Sequence, residues 1–331
     1  MRILVVGGTG FLGGAAARAG LAAGHKVTVM TRSGQNVAAG AAVLIADRDQ
    51  ALPDLKGQFD AVIDTCGYAP DMVTRLLQAV GQVHYVFVSS ISVYDDMTVP
   101  QLGETAHAPP ATPDDLNVAA AVAPALRGVA DPYGASYGRL KRSCEIAAEQ
   151  GSDGNCALIR LGLIVGPGDY TDRFTWWVRR CDQDGPLTVP GPPERDIQLI
   201  DVDDAAHFLV MAAEKNQSGV FHLTGQPMSM HDMLHTICVE TGKAVDIDYQ
   251  PFSVFTDAGI RHWTDLPFVV PDETNVPHML NVSTAKAVDV GLRIRPLAQT
   301  VRAVLAWDRG RRSIALQAGM SPEQETLVAR F

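Results

Sequence analysis

The chain has 331 residues, 47% of them apolar, and a formal net charge of −10. That is length and apolar content enough for one large domain or two modest ones. The acidic balance argues against nucleic acid as a partner, leaving room for a local basic pocket around one phosphate group. No uncharged apolar run approaches the ~18 to 20 residues of a membrane-spanning helix, so no membrane association is expected. The five cysteines, Cys66, Cys144, Cys156, Cys181 and Cys238, are scattered and never spaced C-x-x-C. They read as reduced thiols of a cytoplasmic protein rather than a disulfide framework or a zinc site.

Met1-Arg2 ahead of an apolar stretch has the superficial look of a secretory signal, but glycines at 7, 8, 10, 13 and 14 make a poor apolar helix. Residues 3–6 instead form a short continuous apolar run, as in a strand buried on both faces of a parallel sheet. An Ala-rich helix is expected over 11–23, ended near Gly24. Strands follow at 26–30, 43–46 and 59–65, then a helix at 71–80 and a fifth strand at 85–90. Strands alternating with helices at this spacing predict an α/β, doubly wound parallel sheet. Residues 95–132, rich in Pro, Ala and Asp, interrupt the rhythm and form either a lid over a substrate or a solvated loop. A helix over 136–150 and a strand over 156–163 resume it.

Beyond Gly166-Pro167-Gly168 the pattern turns irregular and aromatic, with Trp176, Trp177, Phe252, Phe255, Trp263 and Phe268. Residues 1–165 are therefore expected to form the dinucleotide-binding domain and 166–331 mainly a smaller α/β substrate domain. Segments within 196–225, namely 197–202 and 220–223, are expected to return to the first sheet. The tryptophans suit an apolar or aromatic ligand, or equally the packing of the small domain.

The turn Gly7-Gly8-Thr9-Gly10-Phe11-Leu12-Gly13 lies directly after a buried strand and before a helix. Glycines there allow backbone angles and close approach that a Cβ would block, and the helix N-terminus offers unpaired N–H groups to a pyrophosphate. Gly7, Thr9, Gly10, Phe11, Leu12 and Gly13 are thus candidates for binding a dinucleotide. Where an acidic residue would hold the ribose 2′-OH of NAD, the second strand ends in Thr31, Arg32 and Ser33. A guanidinium and a hydroxyl suit a 2′-phosphate, which favours NADP with NAD as the alternative; an exposed loop cation is the plainer reading of Arg32. Asp47, after the third strand, is placed to accept from the adenine amino group or to serve as a turn residue.

Tyr137 and Lys141 stand four apart on a predicted helix and share a face. A neighbouring ammonium lowers a tyrosine pKa, which a phenolic acid/base requires. Ser90 closes the fifth strand, whose C-terminal end faces the ligand crevice of an open α/β sheet, although a cap is the simpler role. Cys66, at the end of the fourth strand, reads as a small buried residue near the cofactor. Asp201, Asp203 and Asp204 read as a helix start, with no metal expected.

The glycine turn, Ser89-Ser90, Val93-Tyr94, Tyr137-Gly-Arg-Leu-Lys141, Arg160-Leu161, Gly166-Pro167-Gly168-Asp169 and Arg195-Asp196 occur in that order. The series resembles the extended short-chain dehydrogenase/reductase family, also called the NAD-dependent epimerase/dehydratase family, over about residues 1–225. The resemblance implies a Rossmann fold. It further implies that Tyr137 is the acid/base, that Lys141 binds the nicotinamide ribose and lowers the tyrosine pKa, and that Ser90 hydrogen-bonds the reacting carbonyl. Phe11 and Leu12 would offer backbone N–H groups to the pyrophosphate.

Two departures bear on substrate. Sugar-nucleotide members carry an asparagine in R-x-x-N-x-x-G-P, where this chain has Leu163, which cannot donate to a phosphate. Arg195 matches the arginine of the R-D motif, but the second phosphate-binding arginine has no clear counterpart, Arg293 and Arg295 being nearby in sequence. The expectation is an NADP-dependent reductase of a small, less charged substrate. An epimerase or dehydratase that recycles its cofactor, and a non-catalytic scaffold, remain the alternatives. A homodimer is left open.

Overall fold

The computed structural model describes residues 1–329. In chain order the first half comprises β1 (Arg2–Val6), α1 (Phe11–Ala22), β2 (Lys26–Thr31), β3 (Ala42–Ile45), β4 (Ala61–Asp64), α2 (Pro70–Val80), β5 (His84–Ser90), α3 (Pro113–Ala121), α4 (Tyr137–Gly151) and β6 (Cys156–Leu161). The second half comprises β7 (Leu163–Val165), α5 (Arg173–Cys181), β8 (Gly185–Pro190), β9 (Asp196–Ile197), β10 (Leu199–Asp201), α6 (Val202–Glu214), β11 (Gly219–Leu223) and β12 (Met228–Ser229). It ends with α7 (Met230–Thr241), β13 (Val245–Gln250), α8 (Phe252–Asp257), α9 (Ala285–Val290), α10 (Leu297–Arg309) and α11 (Pro322–Val328).

Seven strands pair in the order β11-β6-β5-β4-β1-β2-β3, every neighbour parallel. This is the doubly wound Rossmann arrangement expected from the apolar runs. On one face the alanines of α1 (Ala15, Ala16) pack with Ala205 and Leu209 of α6, small side chains letting the helices approach the sheet. On the other, Val73, Leu76 and Leu77 of α2 meet Cys144 and Ala148 of α4. A separate core in the C-terminal half joins α5, α7 and α10 through Trp177, Leu234 and Val301.

Two strand expectations need correcting. The run 156–163 is not one strand. β6 ends at Leu161, and Gly162 then lies so close to Thr224 that a β-carbon would stand 2.7 Å from its side chain. The next three residues leave the main sheet and pair with β10. Residues 197–202 therefore do not return to the first sheet, since β9 pairs with β12 and β10 with β7. β11 does return, beside β6.

Trp176 and Trp177 are packing anchors. Both are buried, and their indole N–H groups donate to Met320 O at 3.2 Å and Pro267 O at 3.1 Å. Among the described residues no helix is long and apolar enough to cross a membrane.

Asp64 ends β4 with no solvent exposure, so its charge must be met inside the protein. Arg48 meets it with both terminal nitrogens at 2.7 and 2.8 Å, and the Tyr85 hydroxyl donates to it at 2.5 Å. Burial alone would raise the Asp64 carboxyl, but the charge and hydrogen bonds of Arg48, with Tyr85, outweigh it and the net shift is downward. Asp64→Ala leaves a buried guanidinium uncompensated and is expected to cost about 3–5 kcal/mol in urea unfolding. Because the folded pKa is depressed, the Asp64 contribution is complete above the unfolded value of about 3.9. It is lost as pH falls through the lower folded value. The stability gap between parent and Asp64→Ala should therefore shrink in the acid range and hold constant from pH 5 to 7, as about the range of normal carboxylate ionisation implies.

Candidate functional site

β1 delivers the chain to Gly7, whose φ of +78° lies in the left-handed region. The turn closes with Gly10 N–H donating to Gly7 O at 3.0 Å. A β-carbon on Gly13 would stand 2.2 Å from that same carbonyl oxygen, so α1 can start here only with glycine at 13. Gly10 caps α1 without a side chain, and among the described residues the amides of Phe11, Leu12 and Gly13 have no acceptor. They open, at the positive end of the helix dipole, onto a cavity of about 1000 Å³.

Every expected site residue borders this cavity. Gly7, Thr9, Gly10, Phe11, Leu12 and Gly13 form one wall; Arg32, Ser33 and Asp47 border it beyond β2 and β3; Ser90, Tyr137 and Lys141 border it from β5 and α4. Those open amides and glycine contours fit a pyrophosphate, which needs donors and close backbone approach.

The nucleoside end has further partners. Arg32 donates to Pro124 O at 2.8 Å, and Arg127 pairs with Asp49 at 3.1 Å. The last part of the 95–132 stretch thus forms a wall of the cavity, with Ala125 and residues 127–131 bordering it. Asp47 accepts from the Asp49 amide at 3.0 Å and the Ser33 hydroxyl from the Gln35 amide at 3.3 Å, each shaping a local turn.

At the other end, Ser90 caps the short turn Ile91–Val93, its hydroxyl accepting from Ser92 N and donating to Ser92 Oγ, both at 3.1 Å. Gly138 brings α4 onto this turn, since a β-carbon there would lie 1.8 Å from Ser92 O. That contact sets Tyr137 beside Ser90. Lys141 is buried, donating to Gly67 O at 2.8 Å and Val88 O at 2.6 Å, with its ammonium 4.5 Å from the Phe87 ring centroid. Burial lowers its pKa.

The expected lowering of the Tyr137 pKa by Lys141 is not found. The phenol is pushed up to about 12, by burial first, with hydrogen bonding to Ser90 pulling downward and Tyr170 and Cys144 adding to the rise. Lys141 donates to two main-chain carbonyls and is not among the groups that shift the phenol. Burial also raises the Cys66 thiol, in keeping with a packing role.

The model of the NAD dependent epimerase/dehydratase family matches residues 3–223. The chain belongs to that family. It is 27% identical over 267 residues to the chloroplast stem-loop binding protein of 41 kDa b from Arabidopsis thaliana, covering 73% of this chain and 63% of that protein. The chain thus spans under two thirds of that relative's length. Among solved structures, a UDP-N-acetylglucosamine 4-epimerase from Bacillus cereus aligns with a TM-score of 0.64 at 18% identity, covering 94% of this chain and 97% of that one. A Thermus thermophilus UDP-glucose 4-epimerase in complex with NAD aligns with a TM-score of 0.62 at 18% identity, covering 94% and 99%. These likenesses establish a shared fold.

Against the family's motifs, two arginines are committed elsewhere. Arg195 donates to Val270 O at 2.7 Å and Gly191 O at 3.0 Å and pairs with Asp272, away from the cavity. Arg295 pairs with Asp204 at 2.9 Å and Asp201 at 3.3 Å, while Asp201 caps α6 by accepting from the Asp203 amide. Arg293 is exposed and does not border the cavity. Leu163 does border it, presenting apolar surface.

Sequence reasoning missed Tyr68, Tyr170 and Arg173, which also border the cavity. Tyr68 stacks on Tyr133 with centroids 5.3 Å apart, and Lys141 sits over its ring at 5.1 Å. Nothing in local spacing marks these residues, because the contact joins β4, α4 and the segment between them. Replacing Ser90 with alanine removes the one influence that lowers the phenol. The Tyr137 pKa should then rise further, as read by ultraviolet titration of Ser90→Ala against parent, with Tyr137→Phe subtracted.

Proposed function

We propose that this family member is an NADP-preferring oxidoreductase acting on a carbonyl or alcohol of a small substrate that is not a nucleotide sugar. The observation that carries the reading is the convergence of the glycine turn, Ser90, Tyr137 and Lys141 on one cavity, combined with the commitment of Arg195 and Arg295 to other partners. A buried diphosphate needs donors, and the positions that would supply them are Leu163 and two occupied guanidinium groups.

The chemistry a bound nicotinamide dinucleotide supplies is the donation or acceptance of a hydride. Around it the chain's own groups have distinct tasks. The α1 amides and the Gly7 turn hold the pyrophosphate. Lys141, fixed by Gly67 O and Val88 O, has a third N–H for the nicotinamide ribose. Ser90 hydrogen-bonds the substrate oxygen, and Tyr137 Oη gives that oxygen its proton as the alcohol forms. Arg32, which donates to Pro124 O, would give up that carbonyl for a 2′-phosphate, a doubly charged acceptor. A cytoplasmic setting belongs to the same reading, supported by five free cysteines. The net charge of −10 weighs against RNA as the ligand, although the Arabidopsis relative is named for stem-loop binding.

NADPH should bind more tightly than NADH, and Arg32→Ala should weaken NADPH binding about 10- to 100-fold, the loss of one charge-assisted contact. NADH affinity should stay nearly constant, both being read by fluorescence titration. A preference for NADH that Arg32→Ala leaves unchanged would remove the assignment. Tyr137→Phe should lower kcat by about 10²- to 10⁴-fold with cofactor affinity retained. Net NADPH consumption with a carbonyl substrate distinguishes a reductase; isomerised product without net consumption points to epimerisation.

A further inference from the structure

Among the described residues, one arginine bordering the cavity keeps both terminal nitrogens without a hydrogen-bond or ion-pair partner. Of the arginines bordering the cavity, Arg48 and Arg127 pair with carboxylates and Arg32 binds a main-chain carbonyl. Arg173, the first residue of α5, donates through Nε to Thr171 Oγ1 at 3.2 Å. Its two terminal nitrogens make no hydrogen bond or ion pair among the described residues. The two buried acids nearest in sequence have other partners: Asp172 pairs with Arg311, and Asp169 accepts from the Thr171 amide and hydroxyl at 2.9 and 2.7 Å.

A second feature holds this guanidinium in place. Its carbon lies 5.4 Å from the ring centroid of Trp263, which also borders the cavity. Trp263 has φ +65°, a conformation that a bulky side chain adopts at a cost and that the surroundings must enforce. They do so. Trp263 N–H donates to Leu266 O at 3.0 Å, Arg261 and the buried Asp265 form an ion pair across the turn, and Gly319 N–H donates to Thr264 O at 2.8 Å. A braced, strained loop thus carries an indole against an arginine with both outer nitrogens free.

Resting on the hydride-transfer reading above, we infer that Arg173, held against Trp263, is the anchor for a carboxylate on the substrate, which is therefore a small 2-oxo or hydroxy acid. A lone guanidinium with two parallel N–H edges matches a carboxylate bidentately. A diphosphate, with at least twice the charge, calls for a second cation, and the other cations of the cavity lie at its nucleoside end or are buried with their partners. Leu163 and Met279 give this end an apolar wall for the substrate's carbon body. Arg173, Tyr170 and Tyr137 line the same cavity, so an acid held at Arg173 shares that cavity with the proton donor.

The test is calorimetric titration of the protein saturated with NADP⁺, using pyruvate, 2-oxobutyrate, 2-oxoisocaproate and phenylpyruvate, each against its methyl ester, with UDP-glucose alongside. At least one acid should bind 10-fold or more tightly than its ester. Arg173→Gln should erase that difference and Arg173→Lys should restore part of it, with thermal unfolding and NADPH affinity of both variants matching the parent. Acids and esters that bind alike throughout, an absence of binding by every acid, or UDP-glucose binding indifferent to Arg173 would each overturn the inference. NADPH turnover is measured separately on the same acids. Arg173-dependent binding without turnover leaves the anchor standing and overturns the hydride-transfer reading; turnover of the acids that Arg173→Gln leaves unchanged does the reverse.

Discussion

A β-carbon on Gly13 would stand 2.2 Å from the carbonyl oxygen of Gly7, and much of the molecule follows from that prohibition. It lets α1 begin within one turn of β1, so that the helix N-terminus points its open amides along the carboxyl edge of the sheet rather than over its face. The alanines of α1 can then lie close enough to α6 to share one core. The cavity exists because this edge is left free, and a second close approach, Gly138 against Ser92 O, sets the reacting groups opposite the first. Two contacts that only glycine permits define both ends of the reactive half of the cleft.

Charge is placed with the same economy. Arg48 cancels the buried Asp64, Arg195 binds main-chain carbonyls, and Arg295 answers the carboxylates at the start of α6. Each of these guanidinium groups costs much to desolvate and is retained only where partners satisfy it. Once they are accounted for, the arginine charge available to a ligand divides into Arg32 and Arg173, with the Lys141 ammonium held by two main-chain carbonyls as a third cation. The lining is mixed, apolar and aromatic surface from Leu163, Tyr68 and Trp263 standing with polar groups such as Thr65, Ser90, Tyr137 and Lys141.

Much of this was legible in the chain. Buried parallel strands announce themselves as short apolar runs, and the strand–glycine–helix order pointed to the turn that borders the cavity. What escaped depends on contacts between distant segments. The run 156–163 reads as one strand because Gly162 is silent until Thr224 packs against it. Asp64 carried a usable signal, a charge inside an otherwise apolar strand, yet its partner Arg48 sits in an irregular loop with no period to find it by. Trp176, Trp177 and Trp263 are equivalent as letters. Two fill the small core and one is turned toward the cavity by a left-handed φ, a distinction set by backbone angle alone.

The protonation of Tyr137 shows where sequence spacing misleads most. Four residues between a tyrosine and a lysine guarantee a shared helical face, not an electrostatic coupling. Here the ammonium donates to two main-chain carbonyls, and the phenol, pushed up to about 12 by burial, stays protonated at neutral pH. A group in that state is ready to donate a proton and poorly suited to remove one. The same phenol becomes a base only when a positive charge is brought beside it, so direction is set by what occupies the cleft and not by the Tyr137–Lys141 pair itself. Burial outweighs the Ser90 hydrogen bond and favours the acid, which is the form that reduction of a carbonyl consumes.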